Sequence, residues 1–342
     1  MLKRSLRGWR LPWRSRSGEG SAQQLGEKTF PAEATAEDIY ACFRLLLGRY
    51  PHPQEWPGHS GFVGRPLDEM VRSYVNSLEF QRRGLLERRL NGVESRNFGR
   101  FEIFADPTDN EVGAPVLAGA YEPHVARIFE NLLRPGQSVV DVGANIGFFT
   151  LLAASLVGPA GSVLAVEPNP RNVRLLEASR RRNGFSHVTV AQVAASDHLG
   201  LLALHAGKSN GTTAEPPPLL ADLIAAETVP CLPLDRLVEA NQPLALIKVD
   251  VEGAEGLVLR GALGLLDRHR PHVVSEFCPD GIQQLSGMPP AAYLGLFTDR
   301  GYGVHVITST GLESCGQDHE RVMAAFAASR VDHIDLLFDP AG

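Results

Sequence analysis

From residue 138 onward the chain repeats one pattern: a short apolar run, a turn bearing glycine or an acid, then an amphipathic stretch. The apolar runs cover 138–142, 162–166, 188–194, 244–250 and 272–277. Helical periodicity starts at Gly147 and recurs over 171–182, 254–267 and 290–299. Runs of Val, Ile and Leu without in-and-out alternation, joined by helices, suit a parallel sheet buried on both faces. That predicts a doubly wound α/β domain with its ligands outside the carboxyl ends of the strands. Two late runs, 304–307 and 334–338, lack a clear helix of ordinary length joining them and are expected to form an antiparallel edge hairpin. Ahead of the repeat, 101–104 reads as a strand. Tyr121-Glu122-Pro123 opens a helix that Arg134-Pro135-Gly136 stops.

The remaining chain is of different texture. Residues 17–35 are rich in Gly, Ser, Ala, Glu and Gln and read as a linker. Ile39, Phe43, Leu46 and Leu47 recur at helical spacing, as do Leu67, Met70, Val71, Tyr74 and Leu78; the Pro/Gly/His-rich stretch 51–66 separates them. The phrases LLLGRYPHPQEW and VRSYVNSLEFQ resemble a small helical module attached to bacterial sugar-active and surface-polysaccharide enzymes. The expected division is a basic tail and linker over 1–35, a helical module over 36–97 and the α/β domain over 98–342. With 342 residues there is room for one large domain and one small one.

Charge narrows the function classes. The net charge is −6, yet residues 1–16 hold Lys3, Arg4, Arg7, Arg10, Arg14 and Arg16 and no acid. An acidic body lacks the basic footprint of a nucleic-acid binder, so no nucleic-acid partner is expected. No apolar window approaches the ~18 residues of a membrane span, and the tail lacks the apolar stretch of a signal peptide. A cytoplasmic protein is expected. The tail reads as a solvated segment, and Trp9, Leu11 and Trp13 among its arginines also allow contact with the inner-membrane surface. Cys42, Cys231, Cys278 and Cys315 are widely separated, with no metal-type spacing; free thiols and no zinc are expected.

The chemistry concentrates at strand ends. The first strand runs into Asp141-Val142-Gly143-Ala144-Asn145-Ile146-Gly147. Its glycines miss the second position of G-x-G-x-x-G, which argues against a pyrophosphate and hence against a nicotinamide or flavin oxidoreductase. The second strand ends at Glu167, an acid placed to accept from two ribose hydroxyls, followed by Asn169-Pro170, a good helix cap. The third leads to Ser196-Asp197, where Asp197 suits an adenine amino group or a plain turn. The fourth ends in Lys248-Val249-Asp250-Val251-Glu252-Gly253. Alternation along a strand points Asp250 and Glu252 the same way, into the crevice; Glu252 also suits a helix cap.

Together, in order, these phrases resemble the FkbM-type family of S-adenosylmethionine-dependent methyltransferases. The carrying segments are YEPH at 121, VVDVGANIGFFTLLAASLVGPAGSVLAVEPNPRNVRLLEASRRRNG, VAASD, LDRL at 234, LIKVDVEGAEGLVLRGA and the closing DLLF. The resemblance implies a class I methyltransferase (Rossmann-like) fold, a mostly parallel seven-stranded sheet in the order 3-2-1-4-5-7-6. It implies S-adenosylmethionine as cofactor, with Glu122 near its amino group and Asp141, Gly143, Asn145 and Gly147 around its methionine part and ribose. Glu167 and Asn169 would serve the ribose, Ser196 and Asp197 the adenine, and Asp250 the sulfonium side.

An oxygen nucleophile must lose a proton. Asp250 and Glu252 are the best-placed bases; His205 and His124 are further candidates. Paired carboxylates bind Mg²⁺, but no third ligand accompanies Asp250 and Glu252, so no metal is expected. The expected activity is O-methylation of a hydroxyl on a sugar, polysaccharide or other natural product. A non-catalytic scaffold in a glycan pathway is the alternative.

Overall fold

The computed structural model describes residues 32–82, 92–206, 209–217, 219–238 and 243–340. The basic tail lies outside them. The chain forms two compact units, Met1–Leu90 and Asn91–Gly342.

In the first unit, Thr35 opens the helix Ala36–Cys42 with a reciprocal capping box: its hydroxyl accepts from the Asp38 N–H while Asp38 takes the Thr35 N–H at 2.8 Å. The helix widens into a π-turn, Phe43–Leu47, and stops at Gly48 in the left-handed region. Ile39, Phe43, Met70 and Tyr74 meet in one small buried core with the helix Leu67–Val75. The Tyr74 hydroxyl lies 2.7 Å from His59 Nδ1.

The second unit begins with two antiparallel strands, β1 (Glu94–Asn97) and β2 (Glu102–Ala105). Because β1 needs β2 to pair its backbone, residues 94–97 belong with this unit and not with the helical segment. The central sheet contains β3 (Ser138–Val142), β4 (Ser162–Val166), β5 (Val188–Ala191), β10 (Leu244–Val249), β11 (His272–Phe277), β12 (Gly303–Thr308), β13 (Gly311–Gly316) and β14 (Ile334–Asp339). Its order is β13-β12-β14-β11-β10-β3-β4-β5. Read from β5, this is the 3-2-1-4-5-7-6 order with one strand added, so the sheet has eight strands rather than seven. The addition is a hairpin, β12–β13, closed at Thr308–Gly311. The strands expected to form a hairpin, β12 and β14, do pair antiparallel, but β13 and the helix His319–Ser329 lie between them. Neither insertion has a strong apolar period: β13 is mostly exposed.

Neighbouring residues of the central strands go to opposite faces. Val140, Ile247 and Val273 pack in one core; Val139, Leu246 and Val274 pack in the other. Both faces are therefore apolar, as a covered parallel sheet requires. The helix expected over 254–267 is two helices, Glu255–Arg260 and Leu263–His269. Gly261 lies so close to the Ser196 carbonyl that a Cβ would sit 2.0 Å from it. Asp235 then accepts from the Gly264 and Leu265 N–H groups at 2.9 and 2.8 Å, starting the second helix anew.

The apolar run 188–194 is also divided. After β5 the chain leaves the central sheet, and β6 (Ala194–Ala195) joins a four-stranded sheet with β7 (Gly200–Ala206), β8 (Gly211–Ala214) and β9 (Thr228–Leu232), in the order β6-β9-β7-β8. Leu202, Leu204, Val229 and Cys231 form its core, while Leu199 and Leu201 are exposed. All four cysteines are free.

Candidate functional site

The strand order reverses between β3 and β10, and the crevice at their carboxyl ends is a cleft of about 440 Å³. That is the size range of small-molecule sites. Its floor is the turn after β3. Gly143 has φ +76°, and a Cβ there would lie 1.7 Å from the Asp250 carbonyl oxygen, so only glycine lets the two strand ends approach. Asn145 follows with φ +51°. Its N–H donates to Glu167 Oε2 at 2.8 Å, joining the ends of β3 and β4. The Asn169 N–H and the Asn172 amide donate to Glu167 Oε1 at 2.8 and 3.3 Å.

Five residues other than glycine have positive φ among the described residues: Glu122, Asn145, Glu252, Arg270 and Arg330. The first three line this cleft. Backbone in that region is costly for a side chain and persists where the surroundings enforce it, commonly at binding sites.

The electrostatics are one-sided. Glu111, Glu122, Glu167, Asp250, Glu252, Glu276 and Asp332 line the cleft, and among the described residues no Lys or Arg does. Behind it, Lys248 is 4% exposed and bonds Asp250 Oδ2 at 2.7 Å, with Nζ 4.7 Å from the Phe149 ring centroid. Burial works to raise the Asp250 carboxyl, but the adjoining Lys248 ammonium outweighs it and holds Asp250 below the usual range. At Glu122, Glu167, Glu252 and Glu276 burial outweighs what their neighbours offer. Burial pushes Glu122 up to about 7 and Glu167 up to about 7. Burial, then the charges of Asp250 and Glu252, push Glu276 up to about 10. Glu252 is raised by burial and then by Asp250. These groups resist ionising beside one another until a positive ligand arrives.

Of the residues expected from sequence, Glu122, Gly143, Asn145, Glu167, Asn169, Asp250 and Glu252 share the cleft. Asp250 and Glu252 do so for another reason than expected: β10 ends at Val249, and both sit in the turn beyond it. Glu255, not Glu252, ties that turn, accepting from the Val251 and Gly253 N–H groups at 3.0 and 3.1 Å. Asp141 is 1% exposed and lies behind the cleft, its Oδ2 taken by the Thr150 hydroxyl at 2.6 Å. Gly147 packs against Leu176 and starts the helix Phe148–Val157. Ser196 and Asp197 do not line the cleft. Asp197 is taken by Arg260 at 2.9 Å and His198 at 3.0 Å, and the wall where adenine was expected is Val193, Ala194 and Ala195. His124 is committed to Asp335 at 2.8 Å.

His205 opens on a second cavity of about 480 Å³, with Asp109, Asn110, Thr212 and others. Glu111, Asn210, Gly211 and Glu252 line both cavities. The sequence reading missed Glu276, the penultimate residue of β11. It also missed Lys248, a lone cation in an apolar strand. His333 was missed as well; it lines the cleft with Nδ1 2.9 Å from Asp332 and 3.2 Å from Glu276. Among the described residues no group of three or more His, Cys, Asp or Glu has metal-binding geometry.

Comparison with known proteins agrees with this geometry. Residues 141–304 match the methyltransferase FkbM domain, from Asp141 in β3 to the start of β12. That stretch of the chain is similar to an FkbM-type methyltransferase domain. The chain is 30% identical over 165 residues to a ribosomal protein L11 methyltransferase of Chloroflexus aurantiacus, a match covering 46% of this chain and 47% of that one. It is 28% identical over 134 residues to a protein-L-isoaspartate O-methyltransferase of Methanococcoides burtonii, covering 38% and 64%. The chain thus spans about half to two thirds of the length of these relatives. Among solved structures, an FkbM methyltransferase of Methylobacillus flagellatus is similar at 17% identity and TM-score 0.39, covering 62% of this chain and 50% of that one. Aeropyrum pernix fibrillarin with bound S-adenosyl-L-methionine is similar at 15% identity and TM-score 0.36, covering 63% and 73%.

The strand order is the one expected of a class I methyltransferase fold, and the cofactor is S-adenosylmethionine. The cleft suits that molecule. Its carboxylates face a ligand carrying a sulfonium and an ammonium, Glu167 offers acceptors at the β4 end, and two buried polar atoms of the lining, Asn169 Nδ2 and Ser209 Oγ, have no protein partner. No helix of the described residues is long and apolar enough to cross a membrane.

Proposed function

We propose that the protein is an S-adenosylmethionine-dependent O-methyltransferase acting on a hydroxyl of a sugar, polysaccharide or similar natural product. The observation that carries this is Glu252, the acid at the junction of the two cavities. The cofactor supplies an electrophilic methyl group on a sulfonium. Everything else falls to the chain.

Glu122, Asn145, Glu167 and Asn169 hold the cofactor in the first cleft, with Asp250 on its sulfonium side. The second cavity takes the acceptor. Glu252, reaching both, accepts the hydroxyl proton; its raised pKa makes it a stronger base than an exposed glutamate, and general bases of this kind contribute ~10²–10⁴-fold. His205 orients the acceptor from the opposite wall or shares the proton. Among the described residues neither cavity is lined by Lys or Arg, which supports a neutral acceptor over nucleic acid, whose recognition rests on phosphate neutralisation. The relatives named for protein acceptors set the competing outcome.

The test is incubation of the purified protein with isotopically labelled cofactor and a cell-envelope polysaccharide extract, followed by mass spectrometry. Label in an alkali-stable ether of a sugar is expected, and Glu252→Gln should lower it at least ~100-fold with cofactor affinity retained. Label only in protein or as an ester would refute the acceptor class. Cofactor binding without transfer to any fraction would point to the scaffold alternative.

A further inference from the structure

The cleft is longer than the cofactor site assigned above. That site uses Glu122 and the ends of β3, β4 and β10. The lining continues to Glu276 and Cys278 around the end of β11, and to Asp332 and His333 just before β14. β14 runs antiparallel to β11 with Ile334 opposite Phe277, so His333 stands beside the end of β11. From β4 to β14 is four strand spacings, about 19 Å. His333 is therefore at the other end of the cleft from Glu167, two strands past β10 and its Asp250 turn.

His333 is fixed at one ring nitrogen and open at the other. Its Nδ1 is 2.9 Å from Asp332 Oδ1 and 3.2 Å from Glu276 Oε1. Burial, then the charges of Asp250 and Glu252, keep a proton on Glu276; Glu276 hydrogen-bonds Asp250, which bonds Lys248 in turn. With its proton spent on Asp250, Glu276 offers the ring an acceptor, and the Asp332 carboxylate also only accepts. Two acceptors on one side place the hydrogen of the neutral ring on Nδ1 and leave Nε2 a lone pair. Nε2 has no protein partner among the described residues, and the side chain is 48% exposed. Glu111 and Glu252 line both cavities, so an acceptor seated in the second cavity passes Glu252 to reach this end of the cleft.

We infer that the β11–β14 end of the cleft is a hydroxyl subsite for the acceptor, in which His333 Nε2 accepts a hydrogen bond from a hydroxyl other than the one methylated. This rests on the proposed O-methylation with Glu252 as base, and it narrows the acceptor to a polyol that reaches both Glu252 and His333. His333 takes no proton from the reacting hydroxyl; it positions the molecule that carries it. A site built to meet a hydroxyl also rejects analogues lacking one, because its own polar group is then left unpaired.

The test is transfer of label from S-adenosylmethionine to the cell-envelope polysaccharide extract, measured against extract concentration. His333→Phe fills similar space without a lone pair. It should raise the half-saturating concentration about five- to ten-fold, the worth of one hydrogen bond, with less effect on the limiting rate. His333→Gln keeps an acceptor in its amide oxygen and should recover most of that loss. In calorimetric titrations with S-adenosylhomocysteine both variants should stay within about two-fold of wild type. Long-range proton–nitrogen NMR spectra of the wild-type protein, with the ring assigned by its absence in His333→Gln, should show the hydrogen on Nδ1. An unchanged half-saturating concentration in His333→Phe would overturn the inference, as would a ring hydrogen on Nε2. Equal losses in both variants would make His333 a packing residue, and weakened S-adenosylhomocysteine binding would make it a cofactor contact; either result also overturns it. Absence of transfer by the wild-type protein would instead refute the proposed activity, before any variant is made. Thermal melting of each variant confirms an intact fold.

Discussion

The two walls of the site are built differently. The cofactor wall consists of the ends of β3, β4 and β10, strands buried on both faces, and Glu122, Asn145 and Glu252 of the lining are held in left-handed backbone. The opposite wall is a hairpin, β7–β8, from a small sheet with its own core of Ala194, Leu202, Leu204, Val229 and Cys231 and with Leu201 exposed. One wall is held by the whole domain; the other is held to it by a few amide hydrogen bonds from Asn145 and Asn172. The difference separates tasks. A cation-binding site needs buried, fixed carboxylates, because charge interactions strengthen as water is excluded. An acceptor site has to differ between enzymes, and a surface hairpin tolerates change at small cost to the core.

If this contrast is right, perturbing the first wall should damage cofactor binding and stability, while perturbing the side of the second wall that faces only the second cavity should affect turnover and spare cofactor binding. The largest effect is expected from Gly143→Ala. Its Cβ would collide with the Asp250 carbonyl and the backbone has φ +76°, so the strand ends must part; displacement of about 1 Å can cost ~10²-fold, and S-adenosylhomocysteine affinity should fall by at least that much. Next is Lys248→Met, which leaves Asp250 and Asp141 buried without their cation. Breaking a buried pair from one side costs ~3–5 kcal/mol, readable as a lower urea midpoint.

The pH dependence is intermediate. Glu122 and Glu167 have folded pKa values of about 7 against an ordinary 4.5. A carboxyl whose pKa is raised on folding takes up a proton as the chain folds. The stability this protonation contributes is present below about pH 4.5 and is lost as pH rises through 7. Asp250, with its lowered pKa, contributes in the opposite sense, and its share is lost only as pH falls below the usual carboxylate range. The free protein should therefore melt at a lower temperature at pH 8 than at pH 5.5. The stabilisation by S-adenosylmethionine, which carries a sulfonium, should grow over the same interval. Thermal melts across pH 5–8 with and without ligand would show it, and a flat difference would contradict the electrostatic account. The smallest effect belongs to the second wall. His205→Gln should leave S-adenosylhomocysteine affinity within about two-fold, since an exposed side chain outside the first cleft contributes little to it. Any change should appear in transfer to the acceptor.

Legibility in the sequence followed the same division. Gly143, Asn145, Glu167 and Glu252 could be read because each stands one to three residues past an apolar run, and a strand's end fixes where the next residues go. Asp197 misled for the opposite reason. It also follows a short apolar run, but that run splits after Ala191, and Arg260, more than sixty positions away, claims the carboxylate. Asp141 was placed correctly on its strand but faces the interior.

By itself, then, the sequence determined the doubly wound sheet, its switch point and the acids at its strand ends, since periodicity and chain punctuation are local properties. Only the tertiary structure decided which of those acids reach the ligand, which are absorbed by Lys248 or Arg260, and that a turn of the inserted sheet closes over the cleft. Those outcomes depend on which charges and hydrogen-bond donors are brought together from distant segments, and on how much water is removed when they meet.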